Sequence, residues 1–226
     1  MGNIKKALCS VSLFLLLLLV LSGCAPKKVH TDYSARAAKI RALGIIAPDI
    51  EFDDVHFGGV REKRYDWSDQ ANRNIIEALT RKLSARGFAV KAIPRDGEYR
   101  QTVEEIDGLF SSIVWSFRRY ASAEGKTQFP HKVASFEYSI GPVGDLLDAF
   151  HVDALIVVVG IGQERSLFIT GGAVVAMTLV DRTGELLWFE HVIKRDQAFM
   201  SWDLRIRDQA DSIITSMLEE MPETPK

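Results

Sequence analysis

The sequence predicts a single α/β domain in which helices pack on a mixed β-sheet, with the elements in the order βαβααβββα. Three observations predict this class. A strand, an amphipathic helix and a second strand follow one another between residues 42 and 93, the pattern of a βαβ unit with parallel strands. The run Ala154–Val159 is apolar without alternation, as a strand covered on both faces should be. Two further apolar segments, joined by a short turn, and a closing amphipathic helix complete the pattern.

The first half of the domain is predicted from its apolar periodicity. A strand at Ala42–Ala47 is ended by Pro48, and a second strand at Phe88–Ile93 is halted by Pro94. Between them, residues 67–86 have the four-residue spacing of one helix face. The residues of that stripe are Ala71, Ile75, Leu79 and Leu83.

The second half begins with a helix from Thr102 to about Ser122, opened by the capping-box spacing of Thr102 and Glu105. Its apolar stripe leaves out Trp115, which is compatible with either the core or an exposed contact. Pro142 suits the first turn of a shorter helix. The remaining predicted elements are that helix at 142–150, the central strand, strands at 172–180 and 185–193, and the closing helix at 203–221.

The amino terminus has the pattern of a targeting segment. Lys5 and Lys6 precede an apolar run, Val11–Leu21, that is too short to span a bilayer comfortably. The residues Leu21-Ser22-Gly23-Cys24 follow, and this tetrad resembles the lipobox of bacterial lipoproteins. The resemblance implies cleavage before Cys24 and a diacylglyceryl group on its thiol. The alternative is an ordinary secretory leader with an incidental cysteine.

These features predict the organisation of the chain. We expect a lipoprotein signal peptide at 1–23, a lipidated tether at 24–40, a globular domain at 41–221 and a disordered tail at 222–226. The residue after the cysteine is Ala25. In enterobacterial lipoproteins, an aspartate at this position is the signal for retention in the inner membrane. Similarity to those sorting rules implies a palmitate-bearing anchor in the outer membrane that faces the periplasm.

Composition excludes one class of partner. Hydrophobic residues make up 47% and charged residues 26% of the chain, ordinary values for a globular protein. The formal net charge is −2, and loss of Lys5 and Lys6 with the leader makes it about −4. A mildly acidic domain argues against a nucleic-acid binder, which needs a basic surface. The two cysteines are Cys9, in the leader, and Cys24, so we expect no disulfide.

The central strand and the hairpin carry a family resemblance. Asp153-Ala154 opens the buried strand, Leu179-Val180-Asp181 ends the next one, and Thr183-Gly184-Glu185 precedes Trp188. This pattern resembles envelope lipoproteins whose fold is like the amino-terminal domain of the Tol translocation protein. The group includes the curli secretion lipoprotein and the lipoprotein activators of peptidoglycan synthases. The resemblance implies an α/β fold, partners among envelope proteins, and homo-oligomers.

The motifs of common enzymes are missing from the sequence. Its five histidines show no HExxH or other close ligand spacing, and there is no G-x-S-x-G elbow or Walker loop, so we expect no metal, no cofactor and no enzyme. Gly160-Ile161-Gly162 lacks the third glycine of a dinucleotide site and indicates a strand end or a close backbone approach. A dispersed catalytic or ligand site, such as Asp181 with His191, stays an alternative to an ordinary surface pair.

The segment Asp49–Asp66 is predicted to be a long loop, acidic in its first part and basic in its second. Structureless loops of this length in compact domains are often functional. We therefore treat the loop as a hypothetical partner-binding edge; a loop folded back over the sheet with solvated charges is the alternative. The candidate contact residues are Asp53, Asp54, Phe57, Gly58, Gly59 and Arg61.

Taken together, the sequence predicts a membrane-anchored, periplasmic-side lipoprotein that acts as a non-enzymatic protein-binding module in envelope assembly or secretion. Two alternatives stay open. One is an activator or scaffold of peptidoglycan synthesis, which would also use a tether and a rigid head. The other is a small-ligand binder or hydrolase with a dispersed site.

Overall fold

The computed structural model describes residues 28–56, 58–121, 129, 131, 135–165, 170–195 and 203–223. It contains five helices and seven strands within those residues. The helices are α1 (Tyr33–Ala37), α2 (Tyr65–Ala85), α3 (Arg100–Tyr120), α4 (Gly144–Phe150) and α5 (Arg207–Glu219). The strands are β1 (Ala42–Ile46), β2 (Asp49–Val55), β3 (Arg61–Lys63), β4 (Ala89–Ile93), β5 (Ala154–Arg165), β6 (Thr170–Val180) and β7 (Leu186–Arg195).

The sheet is built around β5. Along one edge of β5, β1 and β2 pair in succession and in parallel, Ile45 opposite Ile156 and Asp49 opposite Val159. Parallel β4 lies outside β1, and antiparallel β3 lies outside β2. Antiparallel β6 covers the other edge of β5, and β7 lies beyond it. The predicted mixed α/β sheet is confirmed.

Helices cover both faces of this sheet because alternate residues of β5 point to opposite sides. Ile156 and Val158 belong to one core, with α2 and α5. Leu155 and Val157 belong to the other, with α3 and α4. All four side chains are buried, which explains why the β5 sequence lacks the alternation of a half-exposed strand. The result is three layers, helices on sheet on helices.

The long loop predicted for Asp49–Asp66 is wrong. The structure has β2 and β3 there, paired as an antiparallel hairpin. The apolar residues Ile50 and Phe52 alternate with charged ones and are buried under α2. Pro48 does end β1, but the chain resumes at once along the same edge of β5, so Pro48 marks an irregularity within one edge rather than the start of a loop.

The predicted tether also differs from the structure. Residues 28–40, which the sequence places in the tether, pack on the domain. Val29 forms an antiparallel bridge with Trp188 of β7, and Tyr33 and Ala37 of α1 are buried in the core shared by α2 and α5. We call residues 28–40 the strap. The packed part of the chain therefore begins no later than Lys28.

Within the described residues, no helix is both long and apolar enough to span a bilayer.

Candidate interaction surfaces and the N-terminal attachment

The residues predicted for lipidation and cleavage, Leu21, Ser22, Gly23 and Cys24, lie outside the described residues, as does Phe57. The structure places the other candidate residues together on the β2–β3 hairpin. Asp53 lies opposite Lys63, and Asp54 lies opposite Glu62. The turn is closed by the His56 amide, which donates to the Val60 carbonyl at 2.9 Å. Its two central glycines have positive φ, 88° at Gly58 and 82° at Gly59, a conformation that favours glycine.

The charges of the hairpin largely pair with one another. Lys63 Nζ lies 2.8 Å from Glu51 Oε1, and Arg61 Nη1 lies 3.8 Å from Asp53 Oδ2. His56 and Glu62 are 3.0 Å apart, and Arg64 is 4.0 Å from the buried Asp54. These pairs are mostly exposed and contribute little to stability. The acidic and basic parts of the segment thus fold against each other as two strands of one hairpin.

Two uncharged side chains stand out among these pairs. Val60, at the hairpin turn, is 65% exposed, and Tyr65, the first residue of α2, is 74% exposed. At the base of the hairpin, the guanidinium carbons of Arg64 and Arg205 lie 4.0 and 4.2 Å from the centroid of the Trp67 ring. Arg205 in turn pairs with Glu164 at the end of β5, at 2.5 Å. The hairpin is therefore a fixed projection with two exposed nonpolar contacts.

The strap attaches along the free edge of β7. The Phe189 amide donates to the Lys28 carbonyl, and the His30 amide donates to the Leu187 carbonyl, both at 2.9 Å. Lys28 Nζ lies 2.5 Å from Glu190 Oε1, whose side chain is buried. These contacts close part of an edge strand that would otherwise offer unpaired backbone groups.

Further contacts secure α1. The Tyr33 hydroxyl donates to the Pro222 carbonyl at 2.7 Å, which joins the strap to the residues after α5. Arg36 pairs with Asp181 at 2.7 Å and with Glu185, on the two sides of the β6–β7 turn. The strap is therefore an integral part of the fold.

A cleft of about 240 Å³ opens between α3 and the sheet. The α3 residues that line it include Trp115 and Arg118. The guanidinium carbon of Arg118 lies 5.4 Å from the centroid of the Trp115 ring. Trp115 is 63% exposed and so lies outside the core, and Ile161 on β5 is 43% exposed. The other sheet residues that line the cleft include Asp49, Glu51, Val159, Val174 and Ala176.

Helix α3 also carries a buried carboxylate, Asp107. Arg95 Nη2 lies 2.6 Å from Asp107 Oδ2 and 3.4 Å from Asp49 Oδ2. Burial raises the pKa of Asp107 from 3.8 to about 6, because loss of hydration and the nearby Asp49 outweigh the charge of Arg95. Periodicity could not reveal this group, since its partners come from two other segments.

The alternative site of Asp181 with His191 is not formed. Asp181 begins the β6–β7 turn and pairs with Arg36, whereas His191 lies opposite Ala176, well along β7. The His191 ring stacks on Phe189 and meets the edge of Phe117, so it extends an aromatic cluster. Among the described residues, no three His, Cys, Asp or Glu side chains are grouped to hold a metal ion.

The Gly160-Ile161-Gly162 segment lies inside β5, which continues to Arg165, so a strand end here is wrong. The expected close approach is confirmed. A Cβ on Gly162 would overlap the ring of Phe52, and one on Gly160 would lie 2.5 Å from the Val174 carbonyl oxygen.

No protein-family model matches the chain, and no curated protein matches it. Among solved structures, it is similar to the PelC dodecamer of Paraburkholderia phytofirmans, with 10% identity over 89% of this chain and 95% of that one and a TM-score of 0.39. It is also similar to lipoprotein GNA1162 of Neisseria meningitidis (12% identity, 80% and 99% of the chains, TM-score 0.36). A third similarity is to the LpoB C-terminal domain of Salmonella enterica, with 9% identity over 73% of this chain and 96% of that one and a TM-score of 0.28. Similarities at this level assign neither a family nor an activity.

Proposed function

We propose that the chain is a lipoprotein anchored through Cys24 in the outer membrane, facing the periplasm, and that its folded head binds other envelope proteins without catalysing a reaction. The observation that carries the proposal is the tetrad Leu21-Ser22-Gly23-Cys24, placed directly after an apolar run that two lysines precede. Each buried methylene of an acyl chain contributes about 0.8 kcal/mol, so two or three chains make a stable anchor.

The hairpin is the part of the head that we propose to meet a partner. Val60 and Tyr65 are exposed nonpolar side chains, and the charged residues around them are already paired. Interfaces combine a nonpolar centre with a polar rim in the same way, and a few central residues carry most of the affinity. The proposed contact surface consists of Val60 at the turn and Tyr65 at the base of the hairpin, with Arg61, Lys63 and the facing Asp53 between them.

Crosslinking in intact cells tests this surface. Lipidated wild type is compared with Val60→Asp, Tyr65→Ala and the control Leu109→Asp, which changes an exposed leucine (49%) on α3. Wild type and the control should crosslink to the same envelope proteins, and both hairpin variants should lose them. Equal recovery by all four proteins would contradict the hairpin as the contact, and no specific crosslink in wild type would contradict a protein-binding head.

A further inference from the structure

The strap fixes how far the head can stand from its anchor. Lys28 already pairs with β7, so only four residue steps separate it from Cys24. A fully extended chain covers about 3.3–3.6 Å per residue, which gives a reach of about 14 Å. A free tether through residue 40 would reach roughly 55 Å.

The direction of approach is also fixed. The strap runs antiparallel to β7, so at Lys28 the amino-terminal direction of the backbone points to the end of the sheet where β7 finishes at Arg195. From Phe189 to Arg195, β7 extends six residues, about 20 Å at strand spacing. The tether is shorter than this distance. The backbone at Cys24 therefore stays short of the end of the sheet, which favours a bilayer that lies alongside β7 over one beyond its tip.

Of the two faces of the sheet beside this part of β7, one is covered. Ala173 and Val175 of β6 are buried there in the core shared by α2 and α5, and Val192 packs against it. The opposite face carries a transverse row, Ile161, Val174 and Ile193, which the strand register places side by side on β5, β6 and β7. All three are at least partly exposed. This apolar row lies within about 10 Å of β7, two strand spacings, and hence within reach of the tether.

Trp115 of α3 stands next to the row, with Arg118 beside its ring. Tryptophan is enriched where protein meets the lipid headgroups, because its ring is apolar and its N–H is polar. We propose that the head lies on the bilayer through this surface, Trp115, Ile161, Val174 and Ile193, which we call the lipid face. The proposal rests on the anchor at Cys24.

The test attaches the anchor chemically, so that it does not depend on processing in the cell. Cys24 is the only cysteine after the predicted leader. The chain from Cys24 onward is coupled to a maleimide lipid in phosphatidylethanolamine–phosphatidylglycerol vesicles whose acyl chains are brominated. The emission of Trp115 is obtained by subtracting the tryptophan fluorescence of Trp115→Phe from that of wild type.

Brominated lipid should quench most of the Trp115 emission in the coupled protein. It should leave the emission unchanged when Cys24 is blocked with N-ethylmaleimide. Inserting twelve Gly/Ser residues between Ala25 and Pro26 should restore emission. Ile161→Ser should also restore it, whereas the control Leu109→Ser should not. Full Trp115 emission in the coupled wild type would overturn the lipid face. Burial of Trp115 that occurs without lipid and increases with protein concentration would indicate a second copy of the chain on this surface and would also overturn it. Neither result bears on lipidation in cells, which labelling of Cys24 measures separately.

Discussion

Val29 forms an antiparallel bridge with Trp188, so the chain enters the sheet only five residues after Cys24. Trp188 is almost fully buried, and the bridge therefore joins the edge of the fold to its core. With the proposed anchor at Cys24, a head attached in this way would move with its anchor instead of exploring the space around it.

The strap should contribute to global stability. Tyr33→Phe removes the hydrogen bond to the Pro222 carbonyl and should lower the free energy of unfolding by about 1 kcal/mol. Tyr33→Ala also empties a buried site and should cost about 3–5 kcal/mol. Urea denaturation of the chain from Cys24 onward measures both. Unchanged stability in Tyr33→Ala would mean that the strap is not packed as described.

Asp107 should make stability depend on pH. Its pKa in the folded protein, about 6, lies above the ordinary 3.8. As the pH rises, the unfolded chain therefore releases this proton at a lower pH than the folded protein does. The free energy of unfolding should then fall as the pH rises from about 4 to about 6. Asp107→Asn does not titrate, and its stability relative to wild type should rise by roughly 3 kcal/mol across that window. Urea denaturation at pH 4 and pH 7 measures the difference, and parallel pH profiles would contradict it.

Gly162 should tolerate no side chain. Gly162→Ala places a Cβ against the buried ring of Phe52 and should destabilise the fold by about 1–3 kcal/mol. The control Gly108→Ala lies in α3, where nothing approaches a new Cβ within 4 Å, and should stabilise by about 0.5–1 kcal/mol. Thermal denaturation ranks the two. A neutral Gly162→Ala would show that Phe52 does not pack over β5.

The hairpin variants should change binding without changing the fold. Val60 is largely exposed, so Val60→Asp should alter the free energy of unfolding by no more than about 0.5 kcal/mol. Its circular dichroism and urea midpoint should match those of Leu109→Asp. A large loss of stability would show that Val60 packs on the head and that its crosslinking result reflects unfolding.

Elements with a strong local pattern could be predicted from the sequence. The four-residue stripe of α2 contains Ala71, Ile75, Leu79 and Leu83, and all four are buried. The unbroken apolar run of β5 correctly predicted a strand covered on both faces. In each case the residues that determine the element lie next to one another in the chain, so their periodicity is enough.

The elements that were missed depend on distant partners. β2 is rich in charge, and it is a strand because β5, about 110 residues further on, offers a parallel edge. In the sequence the strap looks like part of a tether, because Pro26 and Lys27 precede it and Lys28 begins it; its pairing depends on the distant edge of β7. The Arg95–Asp107 pair likewise joins separate segments. Local sequence patterns contain no information about such pairings.

The most direct test of the account is the chemical state of Cys24. Cells expressing wild type or Cys24→Ser are grown with labelled palmitate, and the amino-terminal peptide is identified by mass spectrometry. The account predicts a labelled wild-type chain that begins at an acylated Cys24, and an unlabelled variant that is released from the membrane fraction. An unlabelled wild type, or a Cys24→Ser protein that stays fully in the membrane fraction, would contradict it.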